Sequence, residues 1–112
     1  MERLRKRQIE QKIDAMVKRI VRRFKPVKII LFGSYAKGTA GPDSDVDLLI
    51  VMPVRGSLHK KAVEIGVALH DIEIPKDVIV VTPEEFEWRK DIIGTIECPA
   101  VREGQVLYAK SA

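Results

Sequence analysis

Near the start of the chain apolar residues recur at helical spacing. Ile9, Ile13, Met16, Val17, Ile20 and Phe24 fall on one stripe, and the residues between them are largely charged. The pattern predicts an amphipathic helix from about residue 3 to 24. Lys25-Pro26 ends it, because proline has no N–H to donate and its ring clashes with the preceding turn. The period then changes. Val27 to Phe32 is an almost unbroken apolar run, the mark of a strand covered on both faces. Residues 35–39 allow a short helix, and Ala40-Gly41-Pro42-Asp43 is a turn cluster. Asp45 to Val51 reads as the second strand. Leu58, Ala62, Ile65, Leu69 and Ile72 mark a second amphipathic helix, capped by Ser57 and running to about Asp71. Ile74-Pro75 breaks it, and Lys76 to Val81 is the third strand. Thr82 followed by Pro83-Glu84-Glu85 is a helix start, with proline at the first position and acids in the first turn. Trp88 to Glu103 is predicted helical with an interruption near Pro99. Gly104 is its stop, and Gln105 to Ala109 is a short last strand or an extended tail.

Composition narrows the field. A chain of 112 residues makes one domain with a modest core. The net charge is +4, with Arg3, Arg5, Lys6, Arg7, Lys12, Lys18, Arg19, Arg22, Arg23 and Lys25 gathered near the N-terminus. That run is the solvated face of the amphipathic helix. No aromatic residues are interleaved with it to stack on bases, which argues against nucleic acid as a partner. The single cysteine, Cys98, rules out an internal disulfide and lies in a segment that reads as packed. No apolar stretch is long enough to span a membrane and the charged start lacks a signal-peptide core, so a cytoplasmic protein is expected.

The chemistry is concentrated where the first strand ends and the second begins. Gly33-Ser34 follows the first apolar run, and a spacer of ten residues leads to Asp45-Val46-Asp47. Glycine lets the chain turn sharply and bring backbone N–H groups close to an anion. Ser34 adds a hydroxyl donor. Two carboxylates two residues apart on a strand leave the same face. Placed side by side they need a positive charge between them, and hard divalent cations suit their oxygens. Asp77 opens the third predicted strand. If that strand lies beside the second, a third carboxylate joins the pair, enough for two metal ions in an in-line displacement at phosphorus. Taken singly, a Gly-Ser is a turn and an Asp-X-Asp is a solvated loop; their order together makes coincidence a poor explanation. Lys37, three residues after Ser34, could meet nucleotide phosphates or sit in solvent. Tyr35 could line the same pocket or cover the first strand. His59 and His70 are too far apart for a local metal site and read as surface residues, and Trp88 reads as a packing or interface residue.

The Gly33-Ser34, ten-residue spacer, Asp45-Val46-Asp47 pattern resembles the signature of the DNA polymerase β-like nucleotidyltransferase superfamily. The small size, Ser34-Tyr35-Ala36-Lys37-Gly38 and Pro99-Ala100-Val101-Arg102-Glu103-Gly104 resemble the minimal nucleotidyltransferases, the MNT antitoxins encoded beside HEPN-domain toxins. The resulting expectation is an α/β (α+β) fold with a small mixed sheet and helices packed chiefly on one face. It forms a single domain, residues 1–112, with an N-terminal helix at about 3–24, a catalytic core at about 27–82 and a C-terminal helical segment at about 83–112. The resemblance implies that the protein takes ATP with Mg²⁺, two ions, and transfers AMP to a hydroxyl. Gly33 and Ser34 would hold the β and γ phosphates, with Lys37 as a further candidate. Asp45 and Asp47 would bind both metals, and Asp77 the metal nearest the acceptor. The implied acceptor is a tyrosine of the cognate HEPN ribonuclease toxin. With no room for a second substrate domain, the acceptor must be held by a partner or within a homodimer. Two rivals stand beside this reading: an antitoxin that blocks the toxin by occupancy alone, and a nucleotidyltransferase acting on a small-molecule or RNA hydroxyl.

Overall fold

The computed structural model describes residues 2–41 and 43–111, with side chains described from Lys6 onward; Pro42 of the expected turn and the Arg3 and Arg5 side chains lie outside the described residues. Helix α1, Glu2–Phe24, occupies the predicted stretch. It ends as Lys25 takes a positive φ of 50°, and Pro26 starts the extended chain. Strand β1 is Lys28–Phe32, the short helix α2 is Ser34–Lys37, and β2 is Val46–Val51. Helix α3, Leu58–Ala68, starts where Ser57 Oγ accepts from the Lys60 N–H at 3.1 Å, as its cap predicts. Strand β3 is Lys76–Val81 and α4 is Pro83–Arg89, capped by Thr82 Oγ1, which accepts from the Glu85 N–H at 3.2 Å. Helix α5, Glu97–Glu103, and strand β4, Gln105–Ala109, complete the chain.

The four strands form one mixed sheet in the order β3-β2-β1-β4. β1 runs antiparallel to both β2 and β4, and β2 runs parallel to β3. The parallel pair needs a crossover, and α3 supplies it. The last segment is thus a true edge strand paired with β1, not a loose tail.

Alternation along β2 divides the core. Val46, Leu48 and Ile50 point into the larger cluster, with Met16 and Ile20 of α1 and Ile65 of α3. Leu49 and Val51 point the other way, into a smaller cluster with Ile30, Val81, Phe86 of α4 and Ala100 of α5. The two longer helices cover one face, as expected, and two short ones cover the other.

Differences from the sequence reading lie at boundaries. Asp45 precedes β2 instead of opening it, and α3 stops at Ala68. The predicted helix from Trp88 to Glu103 is two helices, and the break falls at residues 90–96, around Gly94 with φ of 99°, not at Pro99. Pro99 is the third residue of α5. In a helix's first turn the N–H groups have no intrahelical acceptor, so proline costs little there. Gly104 does end α5, but with φ of −82°. What it supplies is space: a Cβ there would meet the Ala100 carbonyl oxygen, Ile30 Cγ2 at 2.8 Å and the Leu31 carbonyl oxygen at 2.9 Å.

Candidate active site

Strand β1 delivers the chain to Gly33, which turns with φ of 76° and ψ of −155°. That conformation is open essentially to glycine alone. A second constraint falls on the same residue. A Cβ on Gly33 would run into Asp47 Oδ2 and lie 3.2 Å from Asp47 Cγ. The acidic side chain therefore rests against the bare Cα of the turn. Register explains the approach: Phe32 pairs with Asp47 across the antiparallel β1–β2 ladder, so the residue after Phe32 passes beside the Asp47 carboxylate.

On the other side of β2, Asp47 pairs with Asp77 across the parallel β2–β3 ladder. Residues paired in this way share a face of the sheet. It is the face of Leu49, Val51, Ile79 and Val81, the smaller of the two clusters. Asp45, two residues before Asp47, stands exposed just ahead of the strand, and Asp77 is exposed on β3, an edge strand. Asp47 is half-buried between them. Burial pushes its carboxyl above the usual carboxylate range, and the charges of Asp77 and then Asp45 push the same way. Asp47 thus feels both neighbours, although among the described residues no three acidic, histidine or cysteine side chains stand at the spacing of a formed metal site.

Ser34 opens α2, and the Ala36 and Lys37 N–H groups both donate to the Gly33 carbonyl oxygen at 3.1 Å. Ser34 is half-buried and directly follows the residue that touches Asp47. Lys37 is engaged elsewhere: its Nζ lies 2.8 Å from Glu103 Oε2, each side chain about half exposed. Tyr35 and Ala36 pack against the larger core cluster. Tyr35 also borders a cleft of about 730 Å³ between α1, α2 and the start of β4, with Ile9, Ile13 and Leu31. His59 and His70 are exposed, Cys98 is buried, and Trp88 is 68% exposed on α4.

Two contacts to α2 had no signal in the sequence. Glu103 reaches Lys37, and the Gln105 side-chain amide donates to the Ala36 carbonyl oxygen at 3.1 Å, 69 residues away in the chain. Only folding brings such distant residues together.

The arrangement puts an anion-tolerant turn in contact with a carboxylate cluster, the combination needed to hold a polyphosphate and its cations in one place. Residues 13–101 match the nucleotidyltransferase domain family. Among solved structures the chain is similar to a Sulfolobus solfataricus protein described as a nucleotidyltransferase, at 17% identity, covering 92% of this chain and 84% of that one with a TM-score of 0.61. It is also similar to a toxin–antitoxin structure with AMP-PNP, at 23% identity over 88% of this chain and 74% of that one, TM-score 0.54. A mutant of the MntA-HpeT toxin–antitoxin matches at 23% identity over 88% and 72%, TM-score 0.52. No curated protein matches by sequence. At these identities the solved structures establish the common fold, and the family match spans most of the chain. By that match and by its fold, the chain belongs to the nucleotidyltransferase domain family.

Proposed function

We propose that this protein is an MNT-type antitoxin that transfers AMP from ATP to a tyrosine hydroxyl of a HEPN ribonuclease toxin and thereby silences it. The observation that carries the reading is the contact between Gly33 and Asp47, which sets a glycine turn able to approach a phosphate against a carboxylate able to ligate a metal. The structures with AMP-PNP and with MntA-HpeT, toxin–antitoxin proteins sharing this fold, support the nucleotide and the class of partner.

The residues fit divalent ions. Asp45, Asp47 and Asp77 offer hard oxygen donors, and burial first, then the charges of Asp77 and Asp45, disfavour ionised Asp47, a cost that a bound cation would relieve. Asp45 and Asp47 would hold both Mg²⁺ ions, and Asp77 the one nearer the acceptor. When bound, the ions neutralise phosphate oxygens and make the α-phosphorus more electrophilic.

The chain's own groups do the rest. Gly33 and Ser34 bind the β and γ phosphates, with the Ser34 hydroxyl donating to the leaving pyrophosphate. Asp77 takes the proton from the acceptor hydroxyl as its oxygen bonds to the α-phosphorus and the α–β bridging bond breaks. An exposed Asp77 on an edge strand suits an acceptor brought by another protein, because among the described residues no further strand lies beyond it. The test is intact mass spectrometry of a HEPN partner incubated with the protein and MgATP. Wild type should add one or more AMP masses, and Asp45→Asn/Asp47→Asn none. A double variant that neutralises the toxin without modifying it would establish blocking by occupancy and overturn the catalytic reading.

A further inference from the structure

A helix of four residues with none of them fully buried does not hold its own position. Yet α2 opens with Ser34 and is preceded by its N-cap Gly33, which rests against Asp47. On the side facing Asp47 the turn is fixed by that contact. On the far side it is fixed by the corner between α5 and β4. The Gln105 amide donates to the Ala36 carbonyl oxygen at 3.1 Å, satisfying one of the carbonyls that such a short helix leaves open. Glu103 Oε2 holds Lys37 Nζ at 2.8 Å. Between them Gly104 presses on the backbone of β1, where a Cβ would meet the Leu31 carbonyl oxygen at 2.9 Å. Gln105 itself pairs with Leu31 across the β1–β4 ladder, so the corner is tied to the strand that delivers Gly33.

We infer that Glu103 and Gln105 are positioning residues for nucleotide binding: they act through α2, and Lys37 serves the site as the anchor of that clamp and not as a phosphate ligand. The inference rests on the proposed nucleotide site, but the clamp has a readout of its own. An exposed ion pair and one neutral hydrogen bond are each modest in water, so each single change should weaken MgATP binding by about three- to ten-fold without abolishing it.

The experiment has two arms. In the first, NMR hydrogen exchange is measured without nucleotide at the Ala36, Lys37 and Thr39 amides, which are bonded to the Gly33 and Ser34 carbonyl oxygens. Gln105→Ala and Glu103→Lys should speed exchange there by several-fold while the β1–β2 amides keep wild-type rates. In the second, MgATP affinity is measured by calorimetry for Lys37→Glu, Glu103→Lys and the double exchange. The singles should bind more weakly, and the double exchange should recover most of the loss because the ion pair is restored in reverse. A double exchange as weak as Lys37→Glu alone would make Lys37 a phosphate ligand and overturn the inference. Unchanged exchange in Gln105→Ala would overturn it as well. If wild type binds no MgATP, the nucleotide reading fails, and the exchange arm still decides whether the clamp holds α2.

Discussion

Replacing Gly33 by alanine tests the join between the turn and the carboxylates. The backbone there, φ of 76° and ψ of −155°, is closed to residues with a Cβ. Forcing one into it costs about 1–3 kcal/mol. The new methyl also meets Asp47 Oδ2 and approaches Asp47 Cγ within 3.2 Å, so the carboxylate must swing away or the turn must open. Overpacking of this kind adds about 1 kcal/mol or more. Together these give about 2–4 kcal/mol, or a fall in Tm of roughly 8–16 °C at about 4 °C per kcal/mol for a domain of this size. Gly38 is the control. Its φ is 77°, but a Cβ there would have nothing within 4 Å. Gly38→Ala should lose only the left-handed penalty, about 1–2 kcal/mol, and keep its nucleotide affinity. Thermal unfolding and calorimetry with MgATP measure both effects. The reasoning is refuted if Gly33→Ala melts and binds like wild type, or if the two variants lose nucleotide affinity equally.

Three further outcomes follow from the same site. MgATP binding measured by calorimetry should collapse in EDTA, since the carboxylate cluster would otherwise repel the triphosphate; equal affinity with and without the metal would contradict the site as described. Asp47 has its pKa raised in the folded protein, by burial first and then by Asp77 and Asp45. Its ionisation is therefore costlier in the fold than in the unfolded chain, and metal-free stability should fall as pH rises from the ordinary value of 3.8 through the raised one. Asp47→Asn removes that loss, so in EDTA it should melt above wild type at pH 7, with the gap closing near pH 3.5 and reversing when Mg²⁺ is added at pH 7; a variant less stable than wild type at pH 7 in EDTA would count against the crowding. Ser34→Ala should slow AMP transfer in single-turnover assays by the low end of about 2.7–4 kcal/mol or less, because the metals share the load on the leaving group, while circular dichroism stays unchanged.

Much of this was legible in the chain. Apolar runs located the first three strands and period-3.6 stripes the two longer helices, because burial on the sheet or on a helix stripe leaves a local trace, whereas Gln105 to Ala109 read as either a short strand or an extended tail. The caps at Ser57 and Thr82 were readable for the same reason, each acting within three residues. Gly33, Ser34, Asp45, Asp47 and Asp77 were singled out by residue type and order, and the sheet pairs two of the three carboxylates directly. What escaped was set by tertiary contact. The break after Arg89 carries Gly94, but the sequence drew attention to Pro99, which the first turn of α5 accommodates. The Lys37–Glu103 ion pair was not readable because Glu103 is remote in sequence and meets Lys37 only when α5 folds back over β1. The role of Gly104 as a spacer is likewise invisible until the Leu31 backbone is seen against it.

The most direct measurement follows the label of ATP into the acceptor. The protein and its HEPN partner are incubated with Mg²⁺ and with ATP labelled at either the α or the γ phosphate, using wild type and Asp47→Asn. Nucleotidyl transfer predicts that α label becomes covalently bound to the partner, that γ label leaves as pyrophosphate, and that Asp47→Asn incorporates neither. Incorporation of γ label, or incorporation of α label by Asp47→Asn at the wild-type rate, would contradict the account.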